Sequence, residues 1–196
     1  MTSRTQQLRK YHRRDSAYLK WVLLAAIATA VTVDATGQEH RQPELRIVVS
    51  VADRKLVLLS DEKPVKLYPV AVGKDSTPTP TGEFKIINRI ADPTYYHPGI
   101  VMPPGPNNPL GHRWMGLNAK GYGIHGTPDQ DSIGQAASTG CIRMARTDLE
   151  EIFEVVRPGM TVHIVAAAEG ELAQLMRAAD MLLLAQANPE PATAAD

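Results

Sequence analysis

Cys141 is the only cysteine in a chain of 196 residues. It stands in A-A-S-T-G-C-I-R-M, Ala136 to Met144. Its neighbours bear on its chemistry. Gly140 lets the backbone approach a ligand closely or take a conformation closed to other residues. Ser138 and Thr139 are small and polar, and Arg143 brings a permanent positive charge. His125 lies 16 residues upstream, at the end of a predicted strand and just before Gly126-Thr127. A thiol becomes a nucleophile when its thiolate is favoured, most directly by a neighbouring imidazolium. A cysteine–histidine pair is the usual device for acyl transfer through a thioester. Successive N–H groups at a Gly-Cys step can hold the oxyanion of a tetrahedral intermediate. On these residues alone, a small buried hydrophobe competes with a nucleophile as the role of Cys141.

Strands must position this pair. Leu45 to Val51 and Lys55 to Ser60 are rich in β-branched and aliphatic residues and predict a hairpin. Val65 to Gly73 predicts a further strand. The loop K-D-S-T-P-T-P-T-G, stiffened by Pro78 and Pro80, leads to another strand at G-E-F-K-I-I-N-R-I. Ala91 to Leu110 is so dense in proline that no regular element is expected there, only a long ordered loop of the kind that often serves function. Trp114 to Leu117 and Gly121 to His125 predict two short strands, and Asp131 to Ala137 a short helix. Thr147 to Val156 predicts a helix with Thr147 as N-cap and Glu150 completing a capping box. Its apolar face is Leu149, Ile152, Phe153 and Val156. M-T-V-H-I-V predicts the last strand. The fold class is mostly β with short helices.

The ends of the chain differ from this middle. Met1 to Lys20 carries six Lys or Arg against one acid, and the apolar run Trp21 to Val33 follows. That run is short for a membrane span, which needs roughly 20 residues, and fits the apolar stretch of an export signal. Residues 1–35 are therefore expected to be a signal peptide or an uncleaved anchor, with the bulk of the protein exported. Residues 36–44 form a linker, 45–165 the main domain, 166–187 a C-terminal amphipathic helix and 188–196 a disordered tail. Leu172, Leu175, Met176, Ala179, Leu182 and Leu183 recur at helical spacing in that helix. The formal net charge of zero gives no argument for nucleic acid.

A larger pattern surrounds Cys141. N-N-P-L-G-H-R-W-M-G-L, then Y-G-I-H-G-T, then S-I-G-Q-A-A-S-T-G-C-I-R-M closely resemble the L,D-transpeptidase catalytic domain, the YkuD-type family of bacterial cell-wall enzymes. The family pattern of a histidine in H-G-T and then Ser-x-Gly-Cys-x-Arg matches His125, Ser138, Gly140, Cys141 and Arg143. V-G-K-D-S-T-P-T-P-T-G-E-F resembles the family's upstream approach. The resemblance covers roughly Leu45 to Val165 and implies a β-sandwich-like catalytic domain.

The resemblance also implies roles. Cys141 is the nucleophile, and His125 is its general base or the imidazolium partner of a preformed thiolate. The N–H groups of Gly140 and Cys141 form the oxyanion hole, with Ser138 in the same loop. The Gly126 carbonyl orients the imidazole. Arg143 braces the loop or contacts a substrate carboxylate. Thr139 stands where many members have histidine, which bears on acceptor choice. His97 and His112 line the cleft or lie on the loop surface, and Tyr96 and Trp114, with Tyr95, form an aromatic wall or pack the long loop. The implied partners are peptidoglycan stem peptides, a tetrapeptide donor and a diamino-acid acceptor, in the periplasm or cell envelope. The implied reaction releases D-alanine and forms 3→3 cross-links in cell-wall biosynthesis. The same site could serve an L,D-carboxypeptidase or an enzyme that attaches or detaches a wall protein. No cofactor and no metal are expected. A zinc site of His97, His112, His125 and Cys141 has acceptable ligand types, but its spacings match no short ligand motif. A noncatalytic wall-binding module would require neither His125 nor Cys141.

Overall fold

Short runs of Val, Ile and Leu build the fold. In the computed structural model, which describes residues 43–187, β1 (Leu45–Ser50) and β2 (Lys55–Ser60) pair as an antiparallel hairpin. β3 (Lys63–Gly73) follows through Asp61 and Glu62, whose φ angles are 46° and 63°. Two successive residues at positive φ give a tight turn whose twist matches its strands. β4 (Gly82–Ala91) comes next, and β5 (Tyr95–His97) and β6 (Ile100–Met102) make a separate hairpin. β7 (Arg113–Leu117), β8 (Gly123–His125), β9 (Ala136–Ser138), β10 (Ile142–Met144) and β11 (Thr161–Val165) complete the strands. The helices are α1 (Arg146–Val155) and α2 (Gly170–Ala187).

The large sheet runs β10-β8-β7-β4-β11-β1-β2-β3-β9, and β10 also pairs with β3. The sheet therefore closes on itself as a barrel-like layer, with β9 beside the end of β3. Ile47, Leu58, Ile86, Met115, Ile124 and Ile142 are each at most 1% exposed. Each such buried side chain stabilises the fold by roughly 1.5–3 kcal/mol. The α1 face of Leu149, Ile152 and Phe153 is buried as its spacing predicts, and so is Val156, the residue that caps the helix end. In α2, Met176 and Ala179 are buried, and Asp180 pairs with Lys55 of β2. Leu45–Asp180 forms one compact unit. The predicted signal or anchor at 1–35, nearly all of the 36–44 linker and the 188–196 tail lie outside the described residues.

Three expectations need correction. The proline-rich stretch holds a hairpin after all. Its prolines flank β5 and β6 instead of interrupting them, and Pro98-Gly99 makes the turn with Gly99 at φ 78°. Pro followed by Gly at positive φ is a favoured turn pair. The predicted helix at Asp131–Ala137 is a single 3-10 turn, Gln130–Ser132. Gly134 at φ 84° ends it, and Ala136 to Ser138 pair with Val72 and Gly73. Finally, α1 begins one residue before Thr147, with extended Ala145 as N-cap and no side-chain cap bond. Glu150 turns instead to His112 and Arg146.

Candidate active site

β8 and β10 run side by side and parallel, pairing Ile124 with Ile142 and His125 with Arg143. Ile124 and Ile142 are buried in the core. Side chains alternate across a strand, so His125 and Arg143 point to the opposite face, and Cys141 leaves β10 on the side of Arg143. β7 runs antiparallel to β8 and pairs Trp114 with His125. The two rings stack at 5.7 Å between centroids and 26° between planes. Trp114 Nε1 donates to Asn88 Oδ1 at 3.1 Å, which holds the indole over the imidazole. A Cβ on Gly123 would lie 2.6 Å from the indole, so only glycine fits under it.

His125 is 5% exposed, and its Nδ1 donates to the Gly126 carbonyl at 2.5 Å. A carbonyl only accepts, so the proton sits on Nδ1 and Nε2 keeps its lone pair. Burial pushes the imidazole pKa from 6.5 down to about 4. The Gly126 carbonyl opposes this, the Arg143 charge adds to it, and the Leu110 carbonyl opposes it. Cys141 is half-buried, and its Sγ donates to the Gly121 carbonyl at 3.5 Å. Burial raises the thiol pKa, against the Gly123 N–H and the Arg143 charge, which favour the thiolate. Both partners are thus driven toward their neutral forms. A neutral thiol can pass its proton to an imidazole with a free lone pair as the sulfur attacks, where the two come within hydrogen-bond reach.

The loop that presents the sulfur is braced from within and from outside. Ser138 is 1% exposed. Its Oγ donates to the Cys141 carbonyl at 2.5 Å and accepts from the Gly140 N–H at 3.0 Å. The Gly140 N–H, expected as an oxyanion donor, is therefore engaged within the loop. Gly140 has φ 111°, and a Cβ there would lie 2.7 Å from the Tyr122 ring. From the T-P-T-P-T segment, Thr77 Oγ1 and the Lys74 N–H both donate to the Ser138 carbonyl, at 3.2 and 3.1 Å.

The structure gathers His125, Gly126, Trp114, Ser138, Gly140, Cys141 and Arg143 in one neighbourhood. Thr139 is exposed beside them. Tyr96 lies on the β5–β6 hairpin and is 73% exposed. His112, expected at the cleft, faces α1, with Nε2 3.0 Å from Glu150 Oε1. His97 stacks on Tyr95. Among the described residues, no three His, Cys, Asp or Glu side chains gather as metal ligands. Sequence reasoning missed Asn88, Tyr122 and Asn108. Asn108 had a signal in N-N-P-L-G-H, but only its burial and partners reveal a task.

Comparison with known proteins agrees with this fold. The L,D-transpeptidase catalytic domain profile, YkuD, matches residues 44–164. The YkuD protein of Bacillus licheniformis, assigned to the L,D-transpeptidases, is 44% identical over 119 residues, covering 61% of this chain and 64% of its own. The chain thus spans less than two thirds of that relative's length. Among solved structures, an L,D-transpeptidase from Mycobacterium tuberculosis matches with a TM-score of 0.55 at 18% identity, over 63% of this chain and 58% of that one. An Enterococcus faecium L,D-transpeptidase, crystallised as a cysteine-to-serine mutant, matches with a TM-score of 0.54 at 26% identity, over 62% of this chain and 50% of that one. The closed sheet, the paired strands beneath His125 and Cys141, and the matched profile lead to one assignment: this chain belongs to the L,D-transpeptidase catalytic domain family.

Proposed function

We propose that the protein is a cysteine-dependent L,D-transpeptidase acting on peptidoglycan stem peptides. Cys141 attacks the carbonyl carbon of the third residue, a diamino acid, in a tetrapeptide donor, and its thiol proton passes to His125 Nε2. The oxyanion is met by the Cys141 N–H, because the Gly140 N–H is engaged by Ser138. Collapse expels D-alanine, whose amine takes the proton from His125, and leaves a thioester. The side-chain amine of a second stem then attacks the thioester and gives its proton to His125. Return of that proton to the departing sulfur leaves a 3→3 link and the free thiol. The Gly126 carbonyl keeps the lone pair on Nε2 through both proton transfers. Arg143, whose Nε has no hydrogen-bond partner among the described residues, is suited to a substrate carboxylate.

The observation that carries this reading is the register of β8 and β10, which sets a thiol and a tautomer-fixed imidazole on one face. The domain organisation follows the same logic. Residues 45–165 do the chemistry, residues 1–35 export or anchor them, and residues 36–44 span the gap to the wall. The C-terminal helix, Gly170–Ala187, is tied to that catalytic unit through Asp180 and Lys55, and the tail at 188–196 follows it. The substrate puts the working domain in the periplasm or cell envelope.

The test is mass spectrometry of the full-length protein and its Cys141→Ala variant with a disaccharide-tetrapeptide. A cross-linked dimer that has lost D-alanine, absent from the variant, is the expected product. Tripeptide without dimer would mean that water resolves the thioester and that the enzyme is a carboxypeptidase. No product at all would sink both.

A further inference from the structure

We propose that Asn108 is a positioning residue that couples the β5–β6 hairpin to His125 through the backbone of Leu110. This inference rests on the acid–base role of His125 proposed above. Asn108 is 1% exposed. Its Nδ2 points at three carbonyls, those of Pro93 at 2.9 Å, Pro103 at 3.1 Å and Met102 at 3.3 Å. These lie where the chain enters and leaves the hairpin. Pro93 and Pro103 have no N–H, so the backbone ladder cannot continue below the hairpin and a side-chain donor must close its base. The amide does so from one side only.

Its other end faces the site. Asn108 Oδ1 accepts from the Leu110 N–H at 2.9 Å, and the Asn108 carbonyl accepts from the Gly111 N–H at 2.9 Å. Leu110 in turn presents its carbonyl to the His125 ring, where it favours the protonated form. Gly111 has no slack, since a Cβ there would lie 2.8 Å from Gly126 Cα. Gly126 is the residue whose carbonyl fixes Nδ1. One buried amide thus joins the hairpin to the Leu110 backbone and, through the close approach of Gly111 to Gly126, to the carbonyl that fixes the imidazole. The remaining groups facing His125 are Arg143 from β10 and Trp114 from β7. Neither of them contacts Asn108 by hydrogen bond among the described residues. The hairpin itself presents Tyr96 and Val101 to solvent, 73% and 69% exposed. A stem peptide resting on it would press on a lever that ends at the base.

A double-substitution cycle on the full-length chain tests this, with the rate of Cys141 alkylation by iodoacetamide as readout. No peptide substrate is needed. Asn108→Ala is expected to slow alkylation at pH 7 roughly two- to tenfold, the range for one lost hydrogen bond. In a His125→Ala background it is expected to slow it no further. An equal drop in both backgrounds, or none in either, overturns the coupling and leaves Asn108 as a structural pin. Should Asn108→Ala not fold, Asn108→Ser runs through the same cycle with the same criterion. If His125→Ala alkylates as fast as the unsubstituted chain, the acid–base reading fails and this inference with it. If His125 matters and Asn108 does not, only the inference fails.

Discussion

Ser138 Oγ lies 2.5 Å from the Cys141 carbonyl and donates to it, while accepting from the Gly140 N–H between them. One hydroxyl therefore sets the backbone on both sides of the Gly140–Cys141 peptide, whose N–H is the proposed oxyanion donor. Ser138→Ala removes both bonds in a buried place. It is expected to destabilise the fold by about 1–3 kcal/mol and to slow the proposed D-alanine release more than it weakens donor binding. Thermal melts and a kcat-against-KM comparison check this, with Ser138→Thr retaining more of both.

Gly140→Ala meets two obstacles, the φ of 111° and the Tyr122 ring. Strain of this kind costs about 1–3 kcal/mol. Turnover is expected to fall because relief must move the sulfur. Adding Tyr122→Ala removes the clash but not the backbone strain, so the double variant should recover only part of the loss. Full recovery would mean that contact alone constrains the loop.

His125 binds its proton at about 4 in the fold against 6.5 ordinarily. Between these values the unfolded chain is protonated at this site and the folded chain is not. Stability therefore rises with pH across that window, is flat above it, and falls as pH drops through it. From pH 7 to 4.5 this one group removes about 2–3 kcal/mol. His125→Asn should lose less stability than the unsubstituted chain over the same pH step, measured by urea unfolding at both values. Equal losses would show that the ring is not held neutral.

Trp114 shields the imidazole. Trp114→Ala should let water reach His125 and move its pKa up toward the ordinary value, because burial is the main cause of the depression. Trp114→Phe, which keeps a ring over the imidazole, should move it less. Histidine ring resonances followed against pH report the shift directly.

The strands were legible because β-branched residues announce them locally, as in L-R-I-V-V-S, and the helix α1 because its apolar face repeats at helical spacing. What could not be read was anything decided between distant segments. Ala136 to Ser138 extend only because the edge of β3 offers them partners. Pro93, Pro98 and Pro103 looked like a ban on structure, yet their exact spacing leaves room for two three-residue strands between them. Cys141 and His125 stood out as reactive types in a known pattern. Asn108 did not, because an asparagine beside proline ordinarily marks a turn, and only burial turns it into a connector.

β3 carries a consequence for the timing of activity. Val72 and Gly73 hold the stretch that leads into the sulfur, while Val70 and Ala71 hold the stretch that leaves it. Both ends of the nucleophile loop are thus fastened to a rail synthesised long before them. Pairings between such distant segments form late, after local hairpins. Until the sheet closes, Cys141 has neither its imidazole nor its brace and behaves as an ordinary thiol. A chain not yet folded would therefore carry its reactive group disarmed, and the act of folding would arm it.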